Sequence, residues 1–174
     1  MKMKIRPMAA FAVISAALLL SVIVANAARA ATTSATATAT IVSALSIENV
    51  EGLRFGSMFI IGSAGGNVTI APDGTRTASL VTLLPATPFG AALFTVNGST
   101  NRTYAISLPG GAVVIDDGLG NTLNVTSFTS SPSLTGLLDG AGTQDLTVGA
   151  TVSVDETKPE GTYSGTFDVI VNFN

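Results

Sequence analysis

The C-terminal stretch Gly161–Asn174, which reads GTYSGTFDVIVNFN, decides the fold class of this 174-residue chain. From Tyr163 to Phe173 its odd positions are small or apolar, and its even positions are polar except for Ile170. A period of two places alternate side chains on opposite faces of a β-strand. Because chain ends usually fray, a strand patterned up to its last residues is expected to pair inside a sheet. We therefore predict a long terminal strand with one buried face.

The chain between residue 30 and this stretch also has the composition and the period-two pattern of β-strands. Thr, Val, Ser and Gly dominate, and short period-two runs are separated by clusters of Gly, Pro, Asn and Asp. Many short, evenly spaced strands predict an all-β fold, namely an immunoglobulin-like β-sandwich with Greek-key connections. The predicted strands are Ala35–Ile47, Val68–Ile70, Thr77–Leu84, Ala92–Val96, Thr103–Leu108, Ala112–Ile115, Thr122–Thr129, Gln144–Val154 and Thr162–Phe173.

The first 30 residues have the pattern of a signal peptide. Three basic residues up to Arg6 precede the apolar stretch Met8–Ala25, and two small-residue cleavage motifs end at Ala27 and Ala30. A membrane anchor is the alternative, because the apolar stretch is almost long enough to span a bilayer. The cleavage motifs and the polar residues after them favour removal of residues 1–30, after Ala30 or, as second choice, Ala27. We expect export to the periplasm and then the cell surface, with no membrane association after cleavage.

Composition excludes most familiar chemistries. The chain has no Cys and no His, so it lacks disulfides, thiolate zinc sites and the commonest catalytic base. After residue 30 only four basic residues remain against eleven acidic ones, a net charge of −7. A nucleic-acid partner is therefore not expected. We predict that the protein is not an enzyme and needs no cofactor or metal.

The N-terminal part of the predicted mature chain also alternates. At about 3.3 Å per residue, Ala35–Ile47 is too long for one sandwich strand. We therefore divide the mature chain into an extension, residues 31–43, and a β-sandwich domain, residues 44–174. The extension could add as a strand to an open sheet edge. Its candidate donor-strand residues are Ala35, Ala37, Ala39 and Ile41.

The C-terminal stretch resembles the terminal strand of chaperone–usher pilus subunits. In that family a Gly stands fourteen residues from the end and an aromatic residue is penultimate, and here Gly161 and Phe173 occupy those places. The body is similar to a family of uncharacterised exported bacterial domains with fimbria-like features. Unlike many such pilins, the chain has no disulfide. The similarity rests on Leu53–Gly56, Ala71–Gly74, Phe94–Gly98, Thr103–Leu108, Val148–Thr151 and Gly161–Phe173.

This resemblance implies a sandwich that lacks its last strand and has a hydrophobic groove beside the C-terminal strand. A periplasmic chaperone would fill the groove first. In a surface fimbria, the N-terminal extension of an identical subunit would replace the chaperone. An outer-membrane usher is the further partner that the resemblance implies. The implied function is that of a structural fibre subunit in cell adhesion. The implied groove residues are Gly161, Tyr163, Phe167, Val169, Val171 and Phe173.

Other interpretations remain. If the extension folds back, the chain is a self-complete secreted sandwich that binds a carbohydrate or protein ligand. The loop Asp116–Asn121 has oxygen ligands for Ca²⁺, but it lacks the spacing of a calcium loop, and a solvated hairpin turn is favoured. Asp155, Glu156 and Glu160 flank Lys158, and such carboxylates could serve a glycosidase. A charged loop is the favoured interpretation.

Overall fold

The structure, a computed structural model, describes residues 31–60 and 65–174, and the predicted signal peptide lies outside them. Within these residues the chain forms twelve β-strands and no helix, which confirms the all-β prediction. The strands are β1 (Ser46–Glu51), β2 (Met58–Ile60), β3 (Gly66–Ile70), β4 (Arg76–Ser79), β5 (Val81–Leu83), β6 (Ala92–Asn97), β7 (Thr103–Ser107), β8 (Val113–Asp116), β9 (Thr122–Ser131), β10 (Thr135–Leu137), β11 (Thr143–Val154) and β12 (Ile170–Phe173).

The large antiparallel sheet is organised around the long strand β11. Along one edge β11 pairs first with β6 and then with β3, and along its other edge it pairs with β9. β1 extends the sheet beyond β6, β4 beyond β3, and β8 beyond β9. Gly149 stands at the junction, where a Cβ would collide with the carbonyl oxygen of Ile70. The absence of a side chain therefore lets β3 end against β11 at this point.

A second layer packs over the large sheet. It contains the three-stranded sheet β10-β7-β12 and the two-stranded sheet β2-β5. Between β6, β11 and β7 lies a core cluster with the fully buried Val96, Tyr104 and Leu146. A second cluster, built on β3, β9 and β11, contains Val68, Val125 and Val152. Alternate residues of each strand thus form a continuous apolar interior.

Three predicted strands differ from the structure. The strand predicted at Ala35–Ile47 is wrong for most of its length, because pairing begins only at Ser46. The strand predicted at Thr162–Phe173 is regular only over β12. The strand predicted at Thr77–Leu84 is interrupted at Leu80, whose φ of 59° lies in the left-handed region. The short strands β2 and β10 were not predicted.

The chain divides into two units between residues 39 and 40, and the sandwich belongs entirely to the second, Thr40–Asn174. Of the first unit the structure describes residues 31–39, which are exposed and form no strand. Residues 40–45 also carry no strand, and Ile41 is 97% exposed. No helix long and apolar enough to cross a membrane occurs in the described residues.

Candidate functional site

The C-terminal segment, residues 161–174, changes neighbours along its length. At its start Ser164 and Asp116 exchange two backbone hydrogen bonds of 2.8 and 2.9 Å. At its end β12 pairs with β7, from Ile170 opposite Ser107 to Phe173 opposite Tyr104. Between these contacts, residues 165–169 have no strand partner and no backbone hydrogen bond to the described part of the chain. A row of peptide groups is therefore open to another strand.

Two local features mark the ends of this unpaired stretch. Continuing the β7–β12 register would place Asp168 opposite Pro109, which has no N–H to donate, so the ladder ends. On the other side, Gly165 lies close against β8. A Cβ at Gly165 would stand 2.8 Å from Ile115 Cγ2 and 2.9 Å from the carbonyl oxygen of Val114. The segment is thus hydrogen-bonded to β8 at Ser164 and to β7 from Ile170 onward, and it pairs with neither strand in between.

The side chains of the segment alternate as predicted, although they are only half-buried. Phe167 is the centre of this face: its ring lies 6.3 Å from Phe94 in an edge-to-face arrangement and 5.1 Å from Phe128. Ile170, the one apolar residue on the other face, is 54% exposed. The half-buried residues are Tyr163, Phe167, Val169, Val171 and Phe173. These side chains cover the core while leaving apolar surface that a further strand could shield.

A cavity of about 240 Å³ lies at the unpaired stretch. Leu108 and Pro109 line it from the end of β7, and Val113 from the start of β8. Phe167 and Ile170 line it from the C-terminal segment. It therefore marks the place where the second layer of the sandwich has a gap.

The end of the segment meets the beginning of the sandwich domain. A Cβ on Gly98 would lie 2.9 Å from Leu138, 3.0 Å from the ring of Phe173 and 3.1 Å from Leu45, so these three side chains converge there. The backbone N–H of Ser43 donates to Ser99 Oγ at 2.8 Å. The extension therefore leaves the body beside Phe173.

The predicted donor-strand residues precede this attachment. All four are exposed and lie outside any strand, so the described chain does not use them for pairing. They are Ala35, Ala37, Ala39 and Ile41.

Acidic side chains lie near the beginning of the C-terminal segment. Partial desolvation, followed by the negative charges of Asp117 and Asp155, raises the pKa of the Tyr163 phenol. The Tyr163 hydroxyl donates to the carbonyl oxygen of Pro159 at 2.9 Å.

Gly161, also predicted for the groove, is exposed, and a Cβ there would be 3.7 Å from the nearest atom, an ordinary contact. Packing therefore does not require glycine at position 161.

The loop Asp116–Asn121, for which a hairpin turn was favoured over a calcium site, is a hydrogen-bonded turn. Asp117 Oδ1 accepts from the N–H groups of Leu119 and Asn121 at 2.8 and 3.0 Å, and Oδ2 accepts from Asn121 Nδ2 at 2.7 Å. The Asn121 side chain is the main cause of the lowered pKa of this carboxyl. Both carboxylate oxygens thus hold the turn, and no group of three acidic residues in the described ranges is placed to hold a metal.

Comparison with known proteins identifies a family for this fold. No curated protein and no solved structure matched the chain significantly. A family described as a domain of unknown function, DUF4402, matches residues 45–173. The match begins just before β1 and includes β12, so it covers the sandwich and the C-terminal segment. The chain therefore belongs to the DUF4402 family.

Proposed function

We propose that the protein is an exported structural subunit of a surface fibre, assembled when the extension of one copy adds as a strand to the C-terminal segment of the next. The observation that carries this proposal is the unpaired stretch 165–169, which combines free peptide groups with an apolar face. Strand addition recognises both features, because main-chain hydrogen bonds give affinity and alternate side chains give register. The groove would then be completed in trans, and each sandwich would be immunoglobulin-like only once filled.

The other sheet edges are less suited to strand addition. β1 has a register irregularity between Asn49 and Glu51 and carries a second acidic residue, Glu48. β10 has only three residues and β4 only four. Bulges, charges and short length are the usual devices that protect edges from pairing. The stretch 165–169 is longer than β4 and β10, and its one charge, Asp168, makes it less acidic than β1, so it is the better acceptor.

The extension has the length and side-chain pattern of a donor. Its thirteen residues, 31–43, span about 43 Å when extended, which is more than the five unpaired residues 165–169 require. Burying the side chain of Ile41 would contribute about 1.5–3 kcal/mol, and each Ala about one methylene increment of ~0.8 kcal/mol. Threonines on the opposite face favour strand conformation without adding apolar surface. Before assembly, a periplasmic chaperone would cover the same groove, and an outer-membrane usher would then direct exchange.

A pair of adjacent variants tests the assembly. Material sheared from producing cells is run unboiled on a denaturing gel and detected with an antibody to residues 31–174. The wild-type protein is expected to give a ladder of multimers that collapses on boiling, as kinetically stable polymers do. Ile41→Asp should abolish the ladder because it buries a charge, whereas Thr40→Asp, on the other face, should retain it.

The stability of the subunit separates assembly from folding. Ile41 is 97% exposed, so Ile41→Asp should leave the Tm of the subunit unchanged. A ladder in Ile41→Asp equal to that in Thr40→Asp would contradict the proposal. A single monomer band for the wild-type protein, boiled or unboiled, would instead favour a self-complete secreted binding module.

A further inference from the structure

The two-stranded sheet β2-β5 has an apolar outer face. Met58 and Leu83 pack against the core, so the residues that alternate with them point away from it. Phe59 and Leu84 are therefore on the outer face, and both are exposed, Phe59 to 50%. Because Phe59 pairs with Thr82, two residues before Leu84, the Phe59 and Leu84 side chains are diagonal neighbours within reach of each other.

The loop after β5 adds a third exposed apolar side chain, Phe89. The Arg76 guanidinium lies over it, with its central carbon 4.3 Å from the centre of the Phe89 ring. The same guanidinium donates to the carbonyl oxygens of Phe55 at 3.0 Å and Leu84 at 2.9 Å. Leu84 and Phe89 are thus both held beside one fixed side chain. We call Phe59, Leu84 and Phe89 the apolar patch.

The charge beside the apolar patch is positive. Arg76 donates to neutral carbonyl oxygens and forms no ion pair with another described residue. The other arginine at this loop, Arg54, pairs through its main chain with Gly90, and its guanidinium is compensated by Glu51 at 2.9 Å. In a mature chain with a net charge of −7, one guanidinium without a carboxylate partner therefore adjoins an exposed apolar surface.

The tip of the β8–β9 hairpin has the complementary character. Leu119 is 87% exposed at this tip. Asp116 Oδ1 accepts from the N–H of Gly118 at 2.9 Å, and Asp117 Oδ1 accepts from the N–H of Leu119 at 2.8 Å. Neither carboxylate forms an ion pair within residues 31–60 and 65–174. A fixed, negatively charged turn thus presents one large apolar side chain to solvent.

We propose that the hairpin tip of one copy docks on the apolar patch of a second copy. Leu119 would be covered by the patch, and the carboxylates of Asp116 and Asp117 would approach the Arg76 guanidinium. Because tip and patch are different surfaces of the same chain, the contact is heterologous, and each copy can bind two others. Neither surface includes the extension or the C-terminal segment. The docking is therefore independent of the strand addition proposed above.

Complementary variants test this docking. All are made in the full chain with Ile41→Asp, which removes the donor residue of the extension, and association is followed by NMR chemical shifts on dilution from about millimolar concentration. The parent Ile41→Asp should show concentration-dependent shifts at both the tip and the patch. Leu119→Ser and Phe59→Ser should each associate about tenfold more weakly, because each removes one apolar partner of the contact. An equimolar mixture of the two should regain the shifts, since one variant keeps the patch and the other keeps the tip.

Leu134→Ser is the matched control. Leu134 is 79% exposed between β9 and β10, outside both surfaces, so its replacement should leave the association unchanged. Equal weakening by Leu119→Ser and Leu134→Ser would overturn the proposal, and so would a mixture that stays monomeric or a parent without concentration-dependent shifts. Patch signals that moved only on addition of phosphatidylcholine vesicles would identify a lipid surface as the occupant instead of a second copy. A missing multimer ladder for the wild-type protein would contradict strand addition but not this docking.

Discussion

Replacing Gly165 with alanine tests the close approach of the C-terminal segment to β8. The new Cβ would lie 2.8 Å from Ile115 Cγ2 and 2.9 Å from the carbonyl oxygen of Val114, which is nearer than Cβ atoms normally come. The Val114 carbonyl belongs to the backbone and cannot rotate away, so the segment or the strand must move. Overpacking lowers the free energy of unfolding by about 1–3 kcal/mol. Alanine also lowers the entropy of the unfolded chain, which offsets about 0.4–1 kcal/mol of that loss. We expect a net loss of up to about 2.6 kcal/mol relative to the wild type, and a stability about 1–3 kcal/mol below that of a glycine-to-alanine variant without overpacking.

Gly161→Ala is the control in the same segment. Its Cβ would be 3.7 Å from Asp117, so we expect unchanged stability or a gain of up to about 1 kcal/mol. Urea unfolding followed by circular dichroism gives both values, with equal m-values indicating an unchanged unfolding reaction. If Gly165→Ala were as stable as Gly161→Ala, the segment would not be packed against β8. The described contact with β8 at the start of the unpaired stretch would then be wrong.

Two further substitutions test the core and one loop. Tyr104→Phe should lower the free energy of unfolding, measured in urea, by about 0.5–1.5 kcal/mol, because the buried hydroxyl donates to Gln144 Oε1 at 2.8 Å. An unchanged midpoint of urea unfolding would contradict that hydrogen bond. Backbone hydrogen bonds from Thr143 and Ala141 lower the pKa of the Asp139 carboxyl in the folded protein. The Asp139 charge therefore stabilises the fold fully at pH values above the unfolded-state pKa. This stabilisation is lost as the pH falls through the lower, folded-state pKa. In thermal unfolding, the stability difference between wild type and Asp139→Asn should therefore be full at pH 7 and shrink below about pH 4; a constant difference from pH 7 to pH 2 would refute it.

The sequence predicted which residues of the C-terminal segment are covered, but not how far the strand extends. Alternation reports the side-chain environment, and Phe167 and Ile170 have the burial it predicts. Strand pairing also depends on neighbours that are remote in sequence. Here those neighbours are Asp116 at one end and Ser107 at the other, and Pro109 ends the ladder between them. No local pattern in residues 161–174 contains that information.

The same limitation explains one other difference. The alternation around Ala37 predicted a strand, but a strand forms only where a partner is present, and the described chain provides none there.

The place where the chain enters the sandwich bears on our proposal that copies assemble rather than close on themselves. Leu45 and Phe173 meet at Gly98, so the extension begins at the terminal end of the segment it would have to complete. Folding back from there would carry the extension toward residue 161, and its chain direction would then run parallel to the C-terminal segment. An extension from another copy has no such constraint and can enter antiparallel, which is slightly the more stable pairing per residue. For the assembly that we propose, the extension of a second copy would therefore fill the groove more favourably than the chain's own extension.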